Sequence, residues 1–176
     1  GLGGKNIEQA EAMFQGKPVR KKTRSLLLSA ARSQIFNAVL AERVRQGNWN
    51  QAMPGEVFSL NGSRSWFVPK ADEDNLEQRL HEGDIHPSGP LWGQGDLPTQ
   101  GALAELEQTV AAQFPILQQG LMEAGMEHDR RALRLMPKNL EWEWQEQDQA
   151  LRLRFGLGPG CYATVILREL AAWAAA

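Results

Sequence analysis

The stretch from Thr23 to Gln46 most limits the folds open to this chain. Leu28, Ile35, Phe36, Val39 and Leu40 recur along it at helical spacing. A helix of that length with one apolar face must pack against other elements. Arg32 falls inside the stripe, one turn from both Leu28 and Phe36. An arginine there must snorkel, pair with a buried acid, or meet a ligand. Before it, residues 5–15 predict a short helix ending at Gly16, with Pro18 opening a connector.

The rest of the chain mixes both periods. "EVFSLNGSRSWFV" carries two apolar runs around Asn61-Gly62, a hairpin signal because both residues tolerate positive φ. Residues 72–82 predict a polar helix, and "GDIHPSGPLWGQGDLPTQG" reads as a long ordered loop from its glycine and proline content. Leu103, Leu106, Val110, Phe114, Leu117 and Leu121 give a second helical stripe, kinked or broken at Pro115.

In "LEWEWQEQDQALRLRFGL", Leu140, Trp142 and Trp144 alternate with Glu141 and Glu143, and Leu151, Leu153 and Phe155 with Arg152 and Arg154. That pattern predicts an antiparallel hairpin with its Trp/Leu/Phe face buried and Glu set against Arg on the wet face. "ALRLM" at 132–136 is a candidate third strand. The class is α+β.

The chain then closes on "GPGCYATVILREL", a turn feeding a helix. At about 100° per residue, Tyr162, Val165, Ile166, Glu169 and Trp173 share one face. A carboxylate in an apolar stripe is rare unless paired or working, so Glu169 requires an explanation.

With 176 residues, 42% hydrophobic and 23% charged, the chain has the bulk of about one globular domain. No apolar run is long enough for a spanning helix, so no membrane role is expected. Its lone Cys161 excludes an internal disulfide framework and favours a cytoplasmic setting. The net charge of −2 hides an asymmetry: through Asn48 there are nine basic residues against three acidic, +6, leaving −8 for the remainder. Lys17, Arg20, Lys21, Lys22 and Arg24 concentrate that charge in "KPVRKKTR", which reads either as a footprint for a polyanion or as a solvated linker.

Several chemistries lack support. "GLGGKN" departs from a phosphate loop in its glycine spacing and in Asn6 after Lys5. His81, Asp84 and His86 lack helical ligand spacing and a partner cluster, so no metal is expected. No nucleophile elbow exists, and Cys161 has no evident histidine partner. What remains is a basic end and an aromatic/acid helix face, which suits RNA with a stacked base; a non-catalytic RNA-binding or scaffold module is the other reading.

Five segments in order, "GLGGKN", "RSLLLSAARSQIFNAVLAERV", "DIHPSGPLWG", "RRALRLMPKNLEWEW" and "PGCYATVILRE", resemble the TruD-type tRNA pseudouridine synthases. The resemblance implies an isomerase acting on uridine 13 of tRNA, without cofactor or metal. In that family a catalytic aspartate lies in a Gly-x-Lys-Asp-Lys-like motif in the amino-terminal part. None of Asp72, Asp74, Asp84, Asp96, Asp129 and Asp148 has that context.

The chain therefore resembles a carboxy-terminal portion. Residues 1–138 would form the inserted TRUD domain, and 139–176 the last strands and helix of the catalytic domain. It would be inactive alone, and the expected assembly is a monomer binding tRNA, completed by the amino-terminal catalytic part of the same protein. By the same resemblance Tyr162 contributes an aromatic plate to the uridine pocket, while Glu169 holds a basic partner, raises a neighbour's pKa, or is structural only. Lys17, Arg20, Lys21, Lys22 and Arg24 would bind RNA, with Arg32 and Asn37 as further RNA-binding candidates that domain packing would explain equally.

Overall fold

A computed structural model describes residues 5–70, 73–158 and 161–170. It divides into two compact units, Gly1–Arg134 and Leu135–Ala176. Each is described by itself.

The first unit begins with α1 (Lys5–Phe14) and α2 (Lys21–Arg45). Helix α2 starts earlier than the apolar pattern does, so Lys21, Lys22 and Arg24 belong to its first turn rather than to a connector. Leu27, Leu28, Ala31, Ile35, Phe36 and Val39 are its buried face, a stripe of helical period. The later stripe is cut into α4 (Gly101–Ala111) and α5 (Pro115–Glu123), with Pro115 at the first turn of α5, where its missing N–H is not needed. Leu117 and Leu121 of α5 meet Leu27 and Ile35 of α2 in the core. Burying side chains of this size stabilises by about 1.5–3 kcal/mol each.

Strands β1 (Phe58–Leu60) and β2 (Trp66–Phe67) form the hairpin expected around Asn61-Gly62, with Phe58 opposite Phe67 and Gly62 at φ +73°. Helix α3 (Leu76–Glu82) ends at Gly83 in the left-handed region. The segment that follows is a loop only from Trp92 to Gln100. Residues Ile85–Leu91 form β3, buried almost throughout, in a four-stranded antiparallel sheet of order β2-β1-β3-β4, with β4 at Asp129–Ala132. Proline and glycine misdirect the reading here. The first half of β3 pairs with β1 and the second half with β4, so each half is bonded along one side and tolerates Pro87 and Pro90. At Gly89 a Cβ would lie 2.8 Å from Leu133 Cδ2 and 2.9 Å from Phe36 Cε2, so the glycine lets helix and sheet approach.

"ALRLM" adds no strand to the later hairpin: Ala132 ends β4, in the first unit's sheet. The second unit comprises β5 (Lys138–Gln145), β6 (Ala150–Gly156) and α6 (Ala163–Leu170). The β5–β6 register is the one the alternation predicts. Trp142 faces Leu153 and Trp144 faces Leu151, while Glu141–Arg154 and Glu143–Arg152 form ion pairs at 3.4 and 3.5 Å. The expected burial is absent: Trp142, Trp144, Leu140 and Leu151 are all exposed.

Candidate functional site

Tyr162 precedes the first turn of α6 and is 71% exposed; Glu169, near its end, is exposed as well. The expectation of a buried carboxylate in an apolar stripe therefore fails within this chain. Helix α6 is strongly amphipathic but has no buried residue, because no described element of its unit covers its apolar side. Trp173, the last member of that stripe, and the first four residues of "GLGGKN" lie outside the described residues.

Lys17, Arg20, Lys21, Lys22 and Arg24 are exposed, and none forms an ion pair with a described carboxylate. Arg20 occupies the N-cap of α2 without a side-chain cap bond, and the first turn holds no acidic residue. Basic side chains at the positive end of a helix dipole destabilise the helix locally and attract anions. That turn is an electrostatic site with free backbone donors. Asn37 is exposed on α2, away from the buried stripe.

Arg32 does not pair with an acid. Its Nη2 donates to the carbonyl of Leu91 at 2.7 Å and to that of Glu127 at 2.8 Å, and its Nε has no partner among the described residues. Burial lowers its pKa, with the Asp129 charge opposing. Arg32 thus ties the end of β3 to the segment leading into β4. His86 Nδ1 accepts a bond from Arg134 Nε at 2.7 Å. Burial, aided by the Arg134 charge, pushes its pKa down to about 4.

The structure also brings together residues that spacing did not. Glu107 of α4 and Arg130 of β4 form a buried bidentate pair, both bonds at 2.9 Å. Arg130 further donates to the hydroxyl and carbonyl oxygens of Ser88, and Thr99 donates to Glu107. One signal was present: Glu107 lies four residues after Leu103 and three before Val110, inside the apolar stripe.

Beside this pair opens a recess of about 400 Å³, formed by Trp66, the Gln94–Pro98 loop and residues 127–130. Trp66 Nε1 donates to Asp129 Oδ1 at 3.0 Å, which fixes the indole. His128 meets Trp92 edge-on at 4.9 Å. Burial, then the Arg130 and Arg32 charges, lower the His128 pKa, so its imidazole is neutral at neutral pH. Gly93 allows the close passage of its loop against the Glu127 backbone, which a Cβ would meet. Nothing in the sequence pattern joins these segments, which are distant along the chain.

Comparison with known proteins places these features in a family context. Residues 6–170 match the family model described as tRNA pseudouridine synthase D (TruD). A protein of that name from Nitrosococcus oceani is 44% identical over 172 residues, 97% of this chain and 48% of the relative. Another from Hydrogenovibrio crunogenus is 46% identical, across 94% of this chain and 48% of the relative. The chain thus spans about half the length of the curated relatives it matches. A crystal structure titled as a putative TruD from Methanosarcina mazei superposes with a TM-score of 0.68 over 94% of this chain and 44% of that one; at 22% identity it shows the shared α+β fold.

Proposed function

The chain belongs to the tRNA pseudouridine synthase D (TruD) family, and from that premise we propose that it is the RNA-binding and pocket-completing part of an enzyme that isomerises uridine in tRNA. The observation that carries the proposal is the match over residues 6–170 by a chain half its relatives' length. The exposed apolar faces of the hairpin and α6 support it, since Trp142, Trp144, Tyr162 and Val165 are costly to leave in water. Their occupant is the catalytic portion of the same protein, which supplies the attacking aspartate. The working enzyme is a cytoplasmic monomer that needs neither metal nor cofactor.

In the reaction the N1–C1′ bond of the uridine breaks, the base turns, a C5–C1′ bond forms, the C5 proton leaves and N1 takes up a proton. No atom is gained or lost. Tyr162 supplies a π face that replaces the stacking lost on flipping, worth about 1–3 kcal/mol. Glu169 holds a basic partner beside the aspartate, keeping the latter ionised. Lys17, Arg20, Lys21, Lys22 and Arg24 bind tRNA phosphates at the positive end of α2. Arg32 positions the β3 and β4 ends, and Asn37 presents an amide on the exposed side of α2.

Tritium release from 5-labelled uridine in tRNA tests this with the catalytic portion present. Tyr162→Leu is expected to lower turnover with tRNA retention intact, and Glu169→Gln to lower it too; wild-type rates for both would refute the pocket assignment. The 176-residue chain alone is expected to release none, so measurable release would refute the division of labour. Replacing Lys21, Lys22 and Arg24 by alanine should flatten the salt dependence of tRNA binding by up to about three counterions. An unchanged slope would return those residues to a solvated surface.

A further inference from the structure

The recess beside Trp66 has a donor and acceptor balance that the family reading does not use. Apart from the His128 imidazole, its side-chain donors are engaged among the described residues. Arg130 gives its bonds to Glu107 and Ser88, Trp66 Nε1 bonds Asp129, and Gln94 Nε2 bonds the Met122 carbonyl at 2.6 Å. Its acceptors are free. Asp129 Oδ1 receives Trp66 and the Arg130 amide, whereas Oδ2 has no partner among the described residues. Asp96 makes no hydrogen bond among them and is exposed. Two walls are aromatic, Trp66 and His128, and the volume of about 400 Å³ admits a planar bicyclic ring.

A site of π faces and unfilled acceptors takes a flat ligand rich in N–H groups. Phosphate is repelled by Asp96, Glu127 and Asp129. A uracil edge, with one N–H between two carbonyls, would leave these oxygens facing oxygens. Guanine presents N1–H and the N2 amino group side by side, two donors for the unfilled oxygens of two carboxylates.

The geometry points to a second nucleobase site in the first unit, in which an unpaired guanine of the bound RNA stacks on Trp66 and gives its N1–H and N2–H to Asp129 Oδ2 and Asp96. Arg131 is exposed on the neighbouring position of β4 and is electrostatically coupled to Arg32. Its guanidinium lies over the Phe36 ring at 5.3 Å and is held by no carboxylate among the described residues. Arg32 and the Glu107–Arg130 pair act as positioning groups, since they fix the two segments that carry the acceptors. The inference deepens the RNA-binding reading and rests on it for its biological meaning.

Titration with free nucleotides separates the two. The Trp66 indole N–H signal, assigned by its loss in Trp66→Phe, is followed in the whole chain as the 5′-monophosphates of guanosine, adenosine, cytidine and uridine are added. Guanosine monophosphate is expected to move it at concentrations where uridine monophosphate has no effect. Asp96→Asn, an exposed substitution with no contact to lose, should weaken guanosine monophosphate about tenfold, as expected for one lost base-edge contact. Equal shifts by all four nucleotides, no shift by any, or a stronger response to free arginine would overturn the site. If tRNA binds with its full salt slope while guanosine monophosphate does not, the guanine site falls and the RNA reading stands. If guanosine monophosphate binds and tRNA does not, the reverse holds.

Discussion

Two glutamates occupy the same kind of position and meet opposite fates. Glu107 sits in the apolar stripe of α4 and is fully buried, held by both guanidinium nitrogens of Arg130. Glu169 sits in the apolar stripe of α6 and faces solvent. The local pattern is the same: a carboxylate at helical spacing from aliphatic residues. The difference lies in what covers the helix. Around α4 the first unit supplies β4 with Arg130 and the Thr99 hydroxyl. Around α6 the described residues of the second unit supply nothing. A stripe therefore states that a face is built to be covered, but it does not name the element that covers it.

The largest test of that contrast removes one charge at each place. Glu107→Gln or Arg130→Met leaves a buried partner uncompensated and should cost about 3–5 kcal/mol of the first unit's stability. The double replacement Glu107→Leu with Arg130→Met should recover much of this loss, because an apolar pair has no charge to desolvate. Glu169→Gln in the same chain should leave the urea midpoint where it was. A midpoint that moves equally for Glu107 and Glu169 would mean that α6 is covered after all.

A second test reads the two sheets. Strand β3 is buried, whereas β5 and β6 expose Trp142 and Trp144 on one face and the Glu–Arg pairs on the other. Isolated two-stranded ribbons are marginal in water. Backbone amides of β5 and β6 should exchange with solvent far faster than those of β3 in this chain, and slow down when the catalytic portion is present. Trp142→Thr should then be tolerated in the chain alone and, if the proposed catalytic portion covers the indole, should cost about 3–5 kcal/mol in its presence. Equal protection of both sheets in the chain alone would remove the contrast.

How much was legible follows from the same distinction. The long helix α2, the break at Pro115, the Asn61-Gly62 hairpin and the β5–β6 register all depend on residues near one another, and periodicity or turn chemistry reads them. Strand β3 was hidden because Pro87, Gly89 and Pro90 are loop signals by composition; only the sheet's offset pairing and the close approach of Phe36 explain them. The recess was hidden for a stronger reason. Trp66, Asp96, His128 and Asp129 are brought together by tertiary packing, and no spacing rule connects them. Arg32 stands out by its place in the apolar stripe, and its partners are two carbonyls rather than an acid, which the stripe does not specify.

The smallest effect is one of pH, and it belongs to the first unit alone. His86 accepts a bond from Arg134, which requires an unprotonated Nδ1, and its folded pKa of about 4 lies below the ordinary 6.5. A base depressed on folding binds fewer protons in the folded state than in the unfolded one. Its contribution to stability is fully present above pH 6.5 and is lost as pH falls towards 4. His128, lowered by burial and two arginines, acts in the same direction. Glu56, raised chiefly by burial despite Arg43, acts in the opposite one. Comparing urea midpoints of the natural chain and His86→Asn across that window isolates the imidazole, since Asn retains an acceptor for Arg134 but does not titrate. The variant should lose less stability on acidification. Because the second unit holds no comparably buried histidine among its described residues, the difference should appear in the signals of β3 and be absent from those of β5 and β6. A pH dependence shared by both sheets would show that the two units unfold as one.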